Sequence, residues 1–139
     1  MTGTPPYHLL LIDDDELFLK TYTAAAKRDA RIALETAPSA AAALGKLRGG
    51  LAPQLILLDI EMPAMNGFQL LEKMRAEKLA ESALVVILSN KGNADYRARA
   101  REFSVSQYIL KASMTPSEVF DEAVYALEQA AQPHNTLLQ

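Results

Sequence analysis

Five short apolar runs recur along the chain: YHLLLI, RIALET, QLILLD, ALVVIL and QYILK. Each has the length of a strand, and several are too continuously apolar to belong to a sheet with one wet face. The segments between and after them carry apolar residues at helical spacing. Leu17/Phe18, Tyr22 and Ala25 mark one stripe, Ala40, Leu44 and Leu47 a second, and Phe68, Leu71 and Met74 a third. Tyr96, Ala100 and Phe103 form a fourth, and Val119/Phe120, Ala123/Val124 and Leu127 a fifth. Strands buried on both faces and alternating with helices predict an α/β fold. The expected form is a doubly wound, five-stranded parallel sheet in the order 2-1-3-4-5, with helices on both sides. In such a sheet the ligand crevice opens at the carboxyl ends of the first and third strands, where the winding reverses. Polar residues should gather there.

The last helix has the clearest start. Thr115-Pro116-Ser117-Glu118 places a capping Thr, a proline at the first helical position and Glu at the third. Pro133 is expected to end that helix, and RGGLAP separates the second helix from the third strand. There is no internal repeat or low-complexity linker. Residues 1–6 read as a short extension, 7–131 as one domain and 132–139 as a short tail, with no output domain expected.

Half the residues are apolar and 22% are charged, the balance of a globular protein rather than a disordered one. The net charge of -3 argues against direct nucleic-acid binding. With no cysteine, disulfides, thiolate metal sites and cysteine nucleophiles are excluded. His8 and His134 stand near opposite ends, so a catalytic triad or multi-histidine zinc site is not expected. The opening MTGTPPYHLLLIDDD has neither a basic leader nor a long apolar run, and no segment approaches the roughly 20 apolar residues of a membrane span. A cytoplasmic protein without membrane insertion is expected.

Polar residues do gather at the two strand ends. The first strand runs into Asp13, Asp14 and Asp15, and the third into Asp59. Three or four carboxylates at one sheet edge repel one another and do not all stay ionised without a cation. Mg2+, with Mn2+ as a substitute, takes oxygen ligands and resolves the conflict for Asp13, Asp14 and Asp59. Asp15 reads instead as a helix cap. Ser89 ends the fourth run and Lys111 the fifth. Each alone is an ordinary strand-end residue. Together, a hydroxyl and an ammonium beside a metal-bound carboxylate are what phosphoryl transfer to that carboxylate requires.

The stretch LLDIEMPAMNG closely resembles the phosphoacceptor signature of the two-component response-regulator family, and the likeness to its receiver domain runs from about His8 to Ala131. The resemblance implies a stand-alone, flavodoxin-like receiver. In it Asp59 is the phosphorylated aspartate, Asp13 and Asp14 the acidic pair for magnesium, and Glu61 a ligand through its backbone carbonyl. Ser89 matches the switch hydroxyl, Lys111 the lysine that contacts the phosphoryl group, and Tyr108 the aromatic switch. Pro63 and Gly67 are read as stiffening the loop that aims Glu61, Gly67 through its freedom to adopt unusual backbone angles. The side chains of Glu61 and Lys91 fall two residues beyond the acceptor and the hydroxyl. There the family flanks the path of attacking water, so an ion pair between them would slow dephosphorylation.

The implied partners are a sensor histidine kinase or histidine phosphotransfer protein, together with a downstream protein that the sequence does not name. A phosphorylation-dependent homodimer is one form the output can take. The output face would be the fourth helix, fifth strand and fifth helix. Arg97, Arg99 and Arg101 make the fourth helix either a basic partner face or simply a solvated one, and Tyr108 is either a switch or plain core. The domain would be a phosphoacceptor rather than a turnover enzyme.

Three departures stand out: Asn90 after Ser89, Ala112 in place of the usual proline after Lys111, and REFSVSQYILK without the glycine turn often found before the fifth strand. Two rival readings remain. One is a haloacid-dehalogenase-like phosphohydrolase with Asp13 as nucleophile and Asp15 as general acid/base, suggested by LLIDDDEL and VVILSN. The other is a phosphorylation-independent interaction module on the same fold.

Overall fold

The computed structural model describes residues 4–132. Residues 133–139 of the expected tail, Pro133 and His134 among them, lie outside these, as do residues 1–3 of the extension. Strands β1 (Tyr7–Ile12), β2 (Ile32–Ala37), β3 (Leu55–Leu58), β4 (Leu84–Ser89) and β5 (Gln107–Leu110) form one parallel sheet in the order β2-β1-β3-β4-β5. The connecting helices are α1 (Glu16–Lys27), α2 (Ala40–Arg48), α3 (Gly67–Glu77), α4 (Ala94–Glu102) and α5 (Pro116–Ala130). The expected doubly wound order is the one observed.

Alternate side chains of each strand point to opposite faces, so runs apolar at every position feed two cores. Leu9, Leu11, Leu55, Leu57, Val86, Leu88 and Ile109 pack with α1 and α5. Leu10, Ile12, Ile56, Leu58 and Ile87 pack with α2, α3 and α4. The central strand β3 is buried at all four positions. The stripes expected for the second, third and fifth helices are buried throughout.

The first stripe needs correction. α1 buries Leu19, Tyr22 and Ala26, whereas Leu17 is 73% exposed. Asp15 caps this helix through Oδ1, which accepts the Leu17 and Phe18 N–H groups, and this sets the phase of the first turn. At the start of α5, Thr115 and Glu118 form the reciprocal capping box, with Pro116 at the first helical position.

Two loop expectations also change. β5 ends at Leu110, and Lys111 opens a short 3-10 turn, Lys111–Ser113. Before β5, where a glycine turn is absent, Ser104 itself adopts the left-handed conformation at φ 56°. It does so as the chain leaves α4, with its N–H donated to Arg101 C=O.

Candidate functional site

β1 and β3 are neighbours, with Ile12 paired to Leu58. One residue further, both strands run into an aspartate whose backbone is still held by the sheet. Asp13 N–H donates to Ala37 C=O at 3.1 Å, and Asp59 N–H to Ile12 C=O at 2.9 Å. The carboxylates are buried as a result: Asp13 is 0% exposed and Asp59 4%. With Ser89 they are the buried polar residues among those described. Asp14 is exposed, yet Asp13, Asp14 and Asp59 each offer an oxygen within 4.8 Å of the others.

Lys111 supplies the opposing charge. Its ammonium lies 2.7 Å from Asp13 Oδ2 and 3.7 Å from Asp59 Oδ1. One cation does not balance three carboxylates. Burial, then the negative charge of Asp13, pushes the Asp59 carboxyl up to about 7, against the pull of Lys111 and the Glu61 N–H; Asp14 pushes it further up. Asp13 Oδ1 accepts the Asp15 N–H at 2.9 Å. Asp13 Oδ2 is buried and has the Lys111 ammonium at 2.7 Å as its ion-pair partner, with no other hydrogen bond. A buried oxygen paired with Lys111 alone, excess negative charge and a set of hard oxygen donors together fit a divalent cation such as Mg2+.

Ser89 is the last residue of β4, buried, and its Oγ accepts the Lys91 N–H at 3.1 Å. In β5, next to β4, Leu110 pairs with Ser89, which puts Lys111 just beyond that hydroxyl's strand end. Tyr108 is half-buried against the core on the α3 and α4 side, and its hydroxyl donates to Lys91 C=O. Lys91 is thus held at both backbone groups by the two expected switch residues. Its side chain pairs with Glu61 at 3.1 Å. This ammonium, with the Tyr96 hydroxyl adding to it, holds the Glu61 carboxyl below the usual carboxylate range.

Two contacts carry no sequence signal of their own. Phe18 places its ring 4.5 Å from the Lys111 ammonium, the geometry of a cation–π contact. Tyr96 donates its hydroxyl to Glu61 Oε2 at 3.0 Å. Periodicity assigns both residues to helix stripes, and a stripe does not say what the polar tip or face of an aromatic touches.

The loop after Asp59 differs in detail from its expected form. Gly67 is not at positive φ; the residue that is, at 69°, is Ala64. Gly67 is instead demanded by space, since a Cβ there would lie 2.6 Å from Asp59 C=O. Asn66 then caps α3 in a reciprocal box with Gln69. The arginines of α4 are partly committed. Arg97 donates to Gly92 C=O and lies 4.7 Å over the Tyr108 ring. Arg99 lies 4.9 Å over Phe68 and pairs with Glu72. Arg101 is exposed. Asn90 is exposed, and the Lys111–Ala112 peptide is not cis. Asp15, committed to its cap, is not free for the acid/base role of the phosphohydrolase reading.

No helix among the described residues is long and apolar enough to cross a membrane. The chain is 34% identical over 133 residues to the transcriptional regulatory protein MctR of Rhizobium johnstonii, covering 94% of this chain and 58% of that protein. It is 33% identical over 135 residues to the nitrate/nitrite response regulator NarL of Escherichia coli K12, covering 94% of this chain and 57% of that protein. The chain therefore spans less than two thirds of the length of these relatives. The CheY-like receiver domain protein of Methanospirillum hungatei JF-1 shares the fold with TM-score 0.78 at 21% identity, over 88% of this chain and 94% of that one. The signal receiver domain of the NarL regulator from Mycobacterium tuberculosis does so with TM-score 0.74 at 23% identity, over 91% and 98%. The model of the response regulator receiver domain matches residues 9–123, and the chain belongs to that family of two-component signalling domains.

Proposed function

We propose that residues 7–131 form a receiver that accepts a phosphoryl group on Asp59 from a phosphohistidine donor, a sensor histidine kinase or histidine phosphotransfer protein. The observation that carries this reading is the pair of buried carboxylates, Asp13 and Asp59, at adjacent strand ends with the Lys111 ammonium between them. An Asp59 oxygen attacks phosphorus, the new P–O bond forms, and the P–N bond to imidazole breaks with its electron pair staying on nitrogen. Lys111 offsets charge on the transferring oxygens. The carboxylates of Asp13, Asp14 and Asp59 and the Glu61 carbonyl would hold Mg2+ or Mn2+, which supplies positive charge to the equatorial phosphoryl oxygens.

After transfer, Ser89 moves to donate its hydroxyl proton to a phosphoryl oxygen, which draws Oγ away from the Lys91 N–H that it accepts at rest. That movement loosens one of the two brackets on Lys91, and Tyr108, which forms the other, responds. The output is a change in the face built by α4, β5 and α5, read by a downstream protein or a second copy of the chain. The Glu61–Lys91 pair spans the gap between the ends of β3 and β4 and screens the acyl phosphate from water. Lys91→Ala is expected to shorten the phosphoryl half-life about 2- to 5-fold, the scale of one exposed ion pair; an unchanged half-life would refute the screen.

The decisive experiment incubates the protein with Mg2+ and acetyl phosphate and measures intact mass. A gain of one phosphoryl group, lost in Asp59→Asn, supports the switch. Labelling at Asp13 would mean the phosphohydrolase reading, and no labelling from acetyl phosphate or a phosphohistidine donor would mean an inert module.

A further inference from the structure

We infer that Tyr96 is a positioning residue for the Glu61–Lys91 pair and ties the lifetime of phosphorylated Asp59 to the seating of α4. The inference rests on Asp59 being the acceptor.

Glu61 Oε2 meets two groups, the Lys91 ammonium in an ion pair at 3.1 Å and the Tyr96 hydroxyl, which donates to it at 3.0 Å. Glu61 follows β3, Lys91 follows β4, and Tyr96 lies in the first turn of α4, so three separate elements meet on one oxygen. An exposed ion pair between two long side chains costs side-chain entropy and is loosely held. A hydroxyl donor from a rigid helix changes that. The Tyr96 ring packs edge-on against Phe68 at 5.8 Å, and its backbone N–H is fixed by the Asn93 side chain at 2.8 Å. Only two torsions separate this anchored backbone from the hydroxyl, so the Glu61 carboxylate is offered a fixed partner.

The consequence is reciprocal. Whatever shifts the first turn of α4 withdraws a donor from Glu61 and loosens the pair. Whatever holds that turn, a bound partner included, keeps the pair in place. In hydrolysis a water oxygen attacks phosphorus, the P–O bond to Asp59 breaks, and inorganic phosphate leaves with the Asp59 carboxylate restored. Tyr96 would touch none of these atoms and would act only through Glu61.

Tyr96→Phe removes the hydroxyl and keeps the ring. Hydrolysis of the acyl phosphate, followed by mass after removal of acetyl phosphate, is expected to quicken about 2- to 5-fold, the scale of one partly exposed hydrogen bond. In a Glu61→Ala background the same substitution should change nothing. An equal acceleration with and without Glu61 would overturn the inference, since the hydroxyl would then act by another route. A second readout needs no phosphorylation: amide hydrogen exchange in residues 91–96 should speed up in Tyr96→Phe and again be insensitive in Glu61→Ala. Unchanged exchange in Tyr96→Phe would overturn it too. If Asp59 takes up no phosphoryl group, the receiver reading fails, while the exchange measurement still decides whether Tyr96 holds the pair.

Discussion

Asp59 sits where burial and a neighbouring carboxylate both oppose its charge, and its carboxyl is pushed from 3.8 up to about 7. Between those values the unfolded chain has released a proton that the metal-free folded chain retains. Stability therefore falls as pH rises through the window from about 4 to 7, the sign expected for a raised acid. Asp59→Asn removes this penalty. Thermal melts in chelator at about pH 8 should show the variant more stable than the parent. The gain is at most about 4 kcal/mol, the free-energy equivalent of so large a rise in a carboxyl's pKa. The advantage should shrink to a few tenths of a kcal/mol near about pH 3.5, where the folded parent is protonated and the unfolded chain mostly so. Equal melts at both values would contradict the assigned electrostatics. Cation binding should likewise weaken below about pH 7, because the ion must displace the Asp59 proton. The acids and Lys111 were legible in the sequence because strand ends in a doubly wound sheet are geometrically special. Phe18 and Tyr96 were not, since their contacts depend on how α1 and α4 pack beside other elements.

The loop from Asp59 into α3 is set by backbone clearance. Gly67→Ala would drive a Cβ to 2.6 Å from Asp59 C=O and 2.9 Å from the Ile60 side chain. A cost of about 2–3 kcal/mol in denaturant melts is expected, at the upper end for overpacking. Phosphorylation should suffer with it, since the same shift moves the Asp59 backbone. Ser104 offers the opposite case. It occupies the left-handed region at φ 56° with its side chain exposed, so Ser104→Gly should stabilise the domain by about 0.5–1 kcal/mol. A loss of stability would mean that the Ser104 side chain makes a contact worth more than the strain. The caps at Asp15, Asn66 and Thr115 have short polar side chains before helical periodicity, and those at Asp15 and Thr115 are readable from the sequence. The positive φ at Ala64 and Ser104 is not, because neither residue type announces it.

At the scale of the molecule, the two cores brace a sheet edge crowded with like charge. Parallel strands hydrogen-bonded through β1 and β3 hold Asp13 and Asp59 together whether or not the charges are balanced. A divalent cation that binds the folded edge alone should then stabilise the whole domain. At about 100 times its dissociation constant, Mg2+ should add about 2.7 kcal/mol to unfolding, reversed by chelator. Asp13→Asn should abolish most of the gain, and an unchanged melting temperature in the parent would argue that the acidic edge holds no cation.

The sequence by itself determined the α/β architecture, the strand order and the acidic edge. Continuous apolar runs require burial on both faces, and runs that alternate with helical stripes find it in a parallel sheet between helix layers. Chain order and handedness then bring the ends of the first and third strands together. Tertiary structure alone decided which face of α1 is inward, where Gly67 is needed, and how Glu61, Lys91 and Tyr96 meet on one carboxylate oxygen. Those features depend on distances between elements remote in sequence, to within about an ångström, and periodicity carries no such information.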